Sequence, residues 1–567
     1  MRLRTILLAA TLACRLPAGA AAPDDDFFWW PEQRSPARYT VCTSPRSPAE
    51  AVLAQSAAGL AARAVNEGRS KRMIWIARGG RYETWLRATA RERRIRCNGE
   101  TDVWSLVGQL RDEGLVSGYV LYAAQDGSLN PATVHAGQLG AVLIEQSLRP
   151  RAETAGLRQV YDARGERPAA CLAQAGDSLG RDLIVVMNPS LPFNRDLAVA
   201  QRAMVYYGAD SAYRAMLART HPFSPVIGWN EGPESGHVGP PSEYGLFSTA
   251  SDFCSNLPFL MAGARQAKID RVRRIDPHTI DFAAPGSFHA FLMSDGDNMQ
   301  WTMDVFFSRD YYLSPICERI PIGWTSCAAN LSQASPATWN SLARQQPRNA
   351  TIAEYSGGYQ YADLFGRALP DRWEALRRYA RMTGRHMRRT GVTVLHLMML
   401  GPIDSPDAMR AYSIYAEEID SLTGIVAIQY NPYHAGRGAV YWVRDRHGIE
   451  LPVVTARYSL WGKIDRDGFG RPDQIARRID ADAAAGDALG WTIVHAWSRY
   501  KLREDGSIAD ADNDDPAAAR GAAAVAWCAD RIGPATRIVP LEELLWRIRM
   551  RHDPAATRKV IETIDRP

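Results

Sequence analysis

The chain has 567 residues, which is more than one hydrophobic core usually supports, so two or three domains are expected. Its hydrophobic share of 46% and charged share of 23% are those of a soluble globular protein. The formal net charge is +5, and three of these charges come from Arg2, Arg4 and Arg15; without them 5 − 3 leaves +2. So small a charge gives no electrostatic argument for nucleic acid or an anionic membrane, and we predict neither as a partner.

The N-terminus has the pattern of a secretion signal. Two arginines precede an apolar core from Thr5 to Ala13, and small residues before position 23 offer a cleavage site. The apolar core is too short to span a bilayer, and no later segment reaches the roughly 18 apolar residues that a membrane helix needs. We predict a signal peptide over residues 1–22 and a secreted or periplasmic protein. Lipoprotein processing at Cys14 is a less favoured alternative.

The eight cysteines include no C-x-x-C pair, which excludes a zinc ribbon. Export permits disulfides, and Cys317 and Cys327 are the nearest pair in the sequence. Burial of single thiols in the core is an equally good interpretation.

Residues 23–164 are predicted to form an N-terminal α/β domain. Apolar runs at Met73–Ala77, Gly118–Ala123 and Gly140–Ile144 are typical of buried strands. Helical patterns such as Ala49–Val65 lie between them, so we expect a mainly parallel sheet.

Residues 165–265 are predicted to form a second α/β module with an irregular aromatic segment. Asp182–Met187 has the pattern of a buried strand, and a helical stretch follows through about Ala218. His221–Leu260 is rich in Pro and Gly, and long irregular segments are usually functional or disordered. Its Trp and Tyr residues favour a functional segment.

Residues 266–567 are predicted to form a (β/α)8-like barrel, either regular or irregular. Eight apolar runs predict strands at Phe288–Met293, Ile320–Thr325, Thr351–Tyr355, Val392–Leu400, Gly424–Tyr430, Leu451–Tyr458, Trp491–Trp497 and Arg537–Leu541. Helical patterns separate most of them, at Pro336–Arg344, Pro370–Arg389, Asp407–Asp420, Asp473–Ala485 and Pro516–Arg531. This number of strands over roughly 280 residues fits a barrel. The alternatives are a seven-stranded barrel, a barrel with Val226–Trp229 as an extra strand, and a doubly wound sheet.

The strand Phe288–Met293 ends abruptly in Ser294-Asp-Gly-Asp-Asn298, with Trp301 just beyond. In α/β folds, ligands bind at the loops that follow the carboxyl ends of the strands. Two carboxylates, an amide and an aromatic ring on one such loop therefore predict a functional site. The alternative is an Asp/Gly turn that only caps the next helix.

The other predicted strand ends carry many aromatic and amide side chains. Sugars stack their apolar faces on aromatic rings, and their hydroxyls need polar partners, so we predict a carbohydrate substrate. The predicted substrate-binding residues are Asn298, Trp301, Trp324, Tyr359, Tyr361, Asn431, Tyr433, Trp461, His495 and Trp497. Packing alone is the alternative interpretation of each ring.

Cleavage of a glycosidic bond needs two carboxyl groups, one protonated and one ionised. Asp295, Asp297 and Glu354 are the predicted catalytic residues. The apolar neighbours of Glu354 favour a raised pKa and the role of acid, whereas Asp297, next to Asn298, is expected to be ionised. No cofactor is predicted; a divalent cation at Asp295 and Asp297 is the less favoured alternative.

Other chemistries find little support in the sequence. It contains no H-E-x-x-H and no P-loop. One G-x-S-x-G match, Gly176–Gly180, follows no strand, so we predict a surface turn and not a nucleophile elbow.

Two motifs resemble those of the GxGYxYP proteins, secreted bacterial proteins classed as glycoside hydrolases. Phe291-Leu-Met-Ser-Asp-Gly-Asp-Asn-Met-Gln-Trp301 is similar to one of them, and Tyr355-Ser-Gly-Gly-Tyr-Gln-Tyr-Ala362 to the motif that names the family. In the second, Ser356 replaces the first Gly and Ala362 the Pro. The resemblance implies α/β modules followed by a motif-bearing C-terminal catalytic domain.

The predicted function is hydrolysis of a polysaccharide or glycan. The first alternative is a carbohydrate-binding surface protein without turnover. The second is a metal-dependent polysaccharide deacetylase, which is less favoured because the sequence lacks the H-x-x-x-H of such enzymes.

Overall fold

The computed structural model describes residues 26–464, 466–486 and 489–564. The predicted signal peptide, residues 1–22, and Cys14 lie outside the described residues. Within these ranges, no helix combines the length and the apolar character that crossing a bilayer requires.

The N-terminal part contains two parallel three-stranded sheets with orders β2-β1-β3 and β5-β4-β6. The strands are β1 Arg38–Cys42, β2 Arg72–Ile76, β3 Arg96–Thr101, β4 Tyr119–Tyr122, β5 Val142–Glu145 and β6 Gln159–Asp162. The helices are α1 Pro48–Asn66, α2 Arg81–Arg93, α3 Val103–Asp112, α4 Leu129–Leu139 and α5 Arg149–Thr154. The three predicted strands of this region are present as β2, β4 and β5.

The second part contains a parallel four-stranded sheet of order β10-β9-β7-β8. Its elements are α6 Pro168–Ala175, β7 Ile184–Val186, α7 Arg195–Gln201, β8 Met204–Tyr206, α8 Ser211–Arg219, β9 Pro225–Gly228, α9 Glu234–Glu243, β10 Phe247–Thr249 and α10 Leu257–Met261. Strand β8 interrupts the predicted helical stretch. Gly176–Ser178 is a short turn between α6 and β7, so the G-x-S-x-G match is the predicted turn.

The C-terminal part is built on a large curled sheet of order β16-β17-β15-β14-β13-β12-β11-β20-β18-β19, in which only the β16–β17 pair of the described pairs is antiparallel. Its strands are β11 Ser287–Met293, β12 Gly323–Ser326, β13 Ile352–Tyr355, β14 Val394–Met399, β15 Gly424–Gln429, β16 Val440–Arg444, β17 Glu450–Thr455, β18 Tyr458–Leu460, β19 Phe469–Gly470 and β20 Leu489–Val494. Strands β21 Arg499–Leu502, β22 Ile508–Asp510 and β23 Ala519–Arg520 form a small antiparallel sheet, and β24 Thr536–Ile538 pairs with β11.

Helices flank this sheet. They are α11 Met299–Thr302, α12 Ile316–Arg319, α13 Ala328–Ala334, α14 Pro336–Arg344, α15 Arg372–Thr390, α16 Pro406–Glu418, α17 Pro472–Ala484, α18 Ala522–Ala529, α19 Leu541–His552 and α20 Pro554–Glu562. The five helices that the sequence predicts are present as α14 to α18. Helix α15 shows why the pattern works: Leu376, Ala380 and Met387 recur at helical spacing and are buried. It ends at Gly391, whose φ of 82° is the left-handed conformation common after a helix.

The predicted full (β/α)8 barrel is not confirmed. Each of the eight predicted strands has a counterpart, but β20 pairs directly with β11, so β24 does not lie between them. Strands β17 and β18 are two pieces of one bent segment: Ala456 N–H donates to the Ala427 carbonyl and Arg457 N–H to the Trp491 carbonyl. The described strands form a curled half-barrel sheet, and the bent segment from β17 to β18 pairs with β15 at one end and with β20 at the other. Val226–Trp229 is not an extra barrel strand, because β9 pairs with β7 and β10.

The seven cysteines of the described residues are free thiols. Cys317 and Cys327 are both buried and do not form the disulfide considered from their spacing. The other interpretation, burial of single thiols in the core, is correct for six of these seven cysteines. The seventh, Cys97, is exposed.

The second and third parts are joined at the motif loop that follows β13. Ser248 in β10 and Tyr359 exchange two backbone hydrogen bonds, of 2.8 and 3.0 Å. The antiparallel bridge places Tyr359 next to β10, the strand that follows α9. This contact shapes one wall of the candidate site.

Candidate active site

A cavity of about 170 Å³ lies at the carboxyl ends of β11, β13, β14 and β15. This is the edge of the sheet at which the sequence predicts the site. Its lining residues are Trp229, Glu234, Ala250, Ser294, Asp295, Asp297, Asn298, Tyr355, Tyr359, His396, Met398, Ile428, Tyr433 and Trp497. Below we call it the acid cavity, because three of these side chains are carboxylic acids.

The loop after β11 is fixed by its glycine and its amide. A Cβ on Gly296 would lie 2.1 Å from the Thr325 backbone, so only glycine permits this approach to β12. Gly296 N–H donates to Thr325 Oγ1 at 2.9 Å. Asn298 Oδ1 accepts from Trp301 N–H at 3.0 Å and caps α11. The capping interpretation therefore holds for Asn298, while both aspartates line the acid cavity.

Asp297 is the buried carboxyl of the acid cavity. Burial raises its pKa well above its usual range, and the negative charges of Asp295 and Glu234 raise it further. These causes favour the protonated form. The direction is opposite to the sequence-based expectation of an ionised Asp297, because the sequence does not show how completely this carboxyl is buried.

Asp295 lies beside Asp297 and accepts hydrogen bonds from two side chains. Trp497 Nε1 donates to its Oδ1 at 2.8 Å, and the Ser294 hydroxyl donates to its Oδ2. Each carboxylate oxygen of Asp295 therefore has a donor, which fixes the orientation of the group. The residue has a φ of 68°, which turns the chain sharply at the end of β11.

Glu234, the first residue of α9, supplies a third carboxyl that the sequence analysis did not select. Burial raises its pKa, and the Tyr359 hydroxyl, which donates a hydrogen bond to it, acts in the opposite direction. The available signal was its position in the Pro- and Gly-rich segment already interpreted as functional. It was missed because only strand ends of the predicted barrel were searched.

Glu354 does not line the acid cavity, which corrects its predicted placement. Its Oε2 accepts from Ala329 N–H at 2.9 Å and its Oε1 from Gly357 N–H at 3.0 Å. Burial raises its pKa to about 8, so the expected direction was right. Because successive strand residues face opposite sides, Tyr355 faces the cavity and Glu354 faces α13.

The motif loop brings the chain back over the cavity through three residues with positive φ. These are Ser356, Gly357 and Gly358, at 55°, 81° and 153°. Ser356, where the family motif has Gly, is held by its hydroxyl, which donates to the His396 carbonyl at 2.9 Å. A Cβ on Gly358 would lie 2.2 Å from the Phe247 ring, so glycine is required for the approach of β10.

The predicted substrate-binding residues divide into two groups. Four line the acid cavity: Asn298, Tyr359, Tyr433 and Trp497. Trp497 is 38% exposed and is the most accessible of these rings. The other six, none of which lines the acid cavity, are Trp301, Trp324, Tyr361, Asn431, Trp461 and His495.

Three of those six support the cavity walls. Trp301 packs edge-on against Trp497, with ring centroids 5.3 Å apart. Trp461 stacks on His495 at 3.8 Å and meets Tyr433 edge-on at 5.1 Å.

The remaining three do not border the acid cavity. Trp324 is fully buried in the core between Phe306 and Tyr312, and Tyr361 is buried behind Tyr359. Asn431 is exposed and lines neither this cavity nor the neighbouring one. Packing is therefore the better interpretation of Trp324 and Tyr361.

His396 is a further cavity residue that the sequence analysis missed. It lies within β14, its ring is 4.6 Å from that of Tyr355, and burial lowers its pKa to about 3. Neither ring nitrogen has a hydrogen-bond partner within the described residues. A neutral imidazole without partners can bind a hydroxyl of a ligand.

A larger cavity of about 450 Å³ adjoins the first, and we call it the arginine cleft. Asn298 and Trp497 line both. Its lining residues are Arg78, Tyr82, Phe253, Asn298, Gln300, Trp301, Asp304, Val305, Tyr311, Trp497, Arg499, Asn513 and Arg520. All three parts of the molecule contribute to it.

One cluster of the described residues has three potential metal ligands close together, in the N-terminal half. His135 Nε2 lies 2.9 Å from Glu166 Oε2 and 3.7 Å from Cys171 Sγ. A cation at Asp295 and Asp297 stays a prediction.

The profile described as "GxGYxYP putative glycoside hydrolase C-terminal domain" matches residues 287–500, and the "GxGYxYP third domain" matches residues 181–262. The chain belongs to the GxGYxYP family. Both matched segments line the acid cavity, since Glu234 comes from one and Asp297 from the other. The family resemblance read from the two motifs is thus confirmed.

The fold has a counterpart among solved structures. A crystal structure described as a putative hydrolase from Bacteroides thetaiotaomicron VPI-5482 covers 93% of this chain and 97% of its own, with a TM-score of 0.76. The sequence identity is 18%, so the similarity establishes the shared fold. No curated protein matches the chain significantly.

Proposed function

We propose that this protein is an exported glycoside hydrolase that cleaves a polysaccharide or glycan in the acid cavity. The observation that carries the proposal is the pair Asp297 and Asp295 in one cavity. Burial and neighbouring charges favour the protonated form of Asp297, whereas Asp295 accepts two hydrogen bonds. Glycoside hydrolysis needs one carboxyl in each state. The family description supports this reaction class, and the pattern of residues 1–22 supports export.

In this proposal, Asp297 donates its proton to the glycosidic oxygen as the bond to the anomeric carbon breaks. Asp295 carries the negative charge that stabilises the developing oxocarbenium ion, and a water molecule then adds to the anomeric carbon as a carboxylate takes up one of its protons. Glu234, bonded by the Tyr359 hydroxyl, adds negative charge that keeps the Asp297 proton in place. Glu354 acts outside the reaction by holding the motif loop through Gly357.

The aromatic rings of the cavity support a sugar ligand. Tyr359, Tyr433 and Trp229 line its walls, and Trp497 borders both cavities. The acid cavity alone, at about 170 Å³, is smaller than the roughly 300–1,000 Å³ of ligand pockets, and the arginine cleft adds about 450 Å³. We infer that the bond to be cleaved lies near Trp497, with one sugar unit in each cavity.

Reducing-sugar release from a panel of polysaccharides tests the proposal. We expect the purified protein to release sugar from at least one of them, and Asp297→Asn to reduce the rate by about 10²- to 10⁴-fold, the usual contribution of a general acid. Asp177→Asn changes an exposed carboxylate that lines neither cavity, and it should keep full activity. Unchanged release by Asp297→Asn, or none by the unsubstituted protein, would refute the assignment.

A further inference from the structure

The arginine cleft differs from the acid cavity in its charge. Three guanidinium groups line it, those of Arg78, Arg499 and Arg520, against one carboxylate, that of Asp304. The acid cavity has three carboxyl groups and no lysine or arginine among its lining residues. Two cavities of opposite character therefore meet at Trp497.

Two of the three arginines have no carboxylate partner within the described residues. Arg78 donates to the Phe253 carbonyl, and its guanidinium lies 4.4 Å from the centre of the Tyr82 ring. Arg499 donates to the Asp515 carbonyl at 3.3 Å. A carbonyl neutralises no charge, so both guanidinium groups keep theirs.

Arg520 differs, because it forms an ion pair with Asp310. Asp304, the carboxylate that lines the cleft, is exposed and has no ion-pair partner within the described residues. The two unpaired cations therefore exceed the one unpaired anion of the lining.

We propose that the arginine cleft binds an anionic group, a carboxylate or a sulfate ester, on the sugar unit next to the one in the acid cavity. The planar guanidinium donates paired hydrogen bonds that match the oxygens of either group. Phe253 and Trp497, 46% and 38% exposed, offer apolar faces to the same sugar ring. That a bond beside this anionic unit is cleaved rests on the proposed function, whereas binding of the anionic group in the arginine cleft does not.

The opposite charges also orient the substrate. The negative charges of Asp295 and Glu234 repel an anion from the acid cavity, and Arg78 and Arg499 attract it to the cleft. A glycan in which acidic and uncharged units alternate fits both cavities at once. We therefore expect such acidic polysaccharides to be the substrate class.

Binding by Asp297→Asn, measured by titration calorimetry, tests the inference without turnover. The probes are oligosaccharides of chondroitin and hyaluronan, in which acidic and uncharged units alternate, each beside its carboxyl-reduced, uncharged counterpart. Sulfated, carboxyl-reduced chondroitin distinguishes a sulfate from a carboxylate. We expect at least one acidic probe to bind about tenfold or more tightly than its uncharged counterpart, with affinity falling as salt rises. Equal affinities, or no binding of any acidic probe, would overturn the inference.

Arginine variants in the same background locate the anion. Arg78→Gln and Arg499→Gln should each weaken binding of the acidic probe about tenfold and leave that of the uncharged one unchanged. Arg531→Gln is the matched control, since Arg531 is exposed, also donates to a carbonyl, and lines neither cavity. Thermal unfolding checks that each variant folds. If neither cleft variant weakens binding more than the control, the inference is wrong.

The results separate this inference from the proposed function. Arginine-dependent binding of an acidic glycan without sugar release by the unsubstituted protein would keep the anion site and refute the hydrolase. Release from uncharged glycans with no preference for acidic ones would keep the hydrolase and refute the anion site.

Discussion

The carboxyl groups of this protein differ because their surroundings differ, and Glu354 shows it most clearly. Its two oxygens accept backbone hydrogen bonds from Ala329 and Gly357, yet burial outweighs them and raises its pKa to about 8 from 4.5. A carboxyl that binds its proton more tightly when folded stabilises the protein fully below pH 4.5. That contribution is lost as the pH rises through about 8.

We predict that Glu354→Gln flattens this dependence. Relative to that of the variant, the free energy of unfolding of the unsubstituted protein should fall between about pH 4.5 and pH 8, because only the unsubstituted protein loses the Glu354 proton there. Denaturant titration at several pH values measures both. Since the other titrating groups are common to the two proteins, parallel curves would contradict the account of Glu354.

The residues of the site were only partly predictable from the sequence. Asp295 and Asp297 could be predicted because polar residues that directly follow an apolar strand can be recognised from the sequence alone. The placement of Glu354 was wrong because successive side chains of a strand point to opposite faces of the sheet. Tyr355 faces the cavity, so Glu354 faces away from it. Glu234 was missed because it enters the cavity from another part of the chain, and only the packing of α9 against the motif loop brings it there.

At the scale of elements, the motif loop is shaped by its contact with β10. The loop and β10 approach so closely that a Cβ on Gly358 would overlap the Phe247 ring. The same contact pairs Tyr359 with Ser248, and the Tyr359 hydroxyl then reaches Glu234. A side chain at position 358 would thus disturb the fold and the acid cavity together.

We predict that Gly358→Ala lowers stability by at least about 1–3 kcal/mol, the usual effect of overpacking, with a further loss from its positive φ. Gly448→Ala is the control, because Gly448 also has a positive φ but nothing within 4 Å of the Cβ position. Chemical denaturation of the two variants isolates the clash. Equal losses of stability in the two variants would show that β10 moves away from the new side chain without loss of free energy.

Most elements of the C-terminal part could be predicted, but not how they join. Apolar runs and helical spacing locate β11 and α15, because burial imposes those periods. The bend between β17 and β18, and the pairing of β24 with β11, depend on hydrogen bonds between distant segments. The spacing of apolar residues does not show which distant segments pair, so an eight-stranded barrel, regular or irregular, was predicted and a curled half-barrel was found.

At the scale of the whole molecule, the two cavities are shared between parts that the sequence analysis treated separately. Glu234 and Trp229 come from the second part, Arg78 and Tyr82 from the first, and Asp295 and Asp297 from the third. The aromatic residues at the start of the described chain also contact the third part. The indole nitrogens of Trp29 and Trp30 both donate to Asn330 Oδ1, at 2.7 and 3.0 Å. The site therefore depends on the assembled protein.

The proposed mechanism requires Asp297 to protonate the leaving group, so the decisive measurement is the dependence of the rate on the leaving group. On the polysaccharide that the protein cleaves, Asp297→Asn should lose about 10²- to 10⁴-fold in rate. On a 2,4-dinitrophenyl glycoside of the released sugar, whose leaving group needs no proton, the variant should stay within about tenfold of the unsubstituted protein. Equal losses on both substrates, or no loss on the polysaccharide, would contradict the role of Asp297 as the acid.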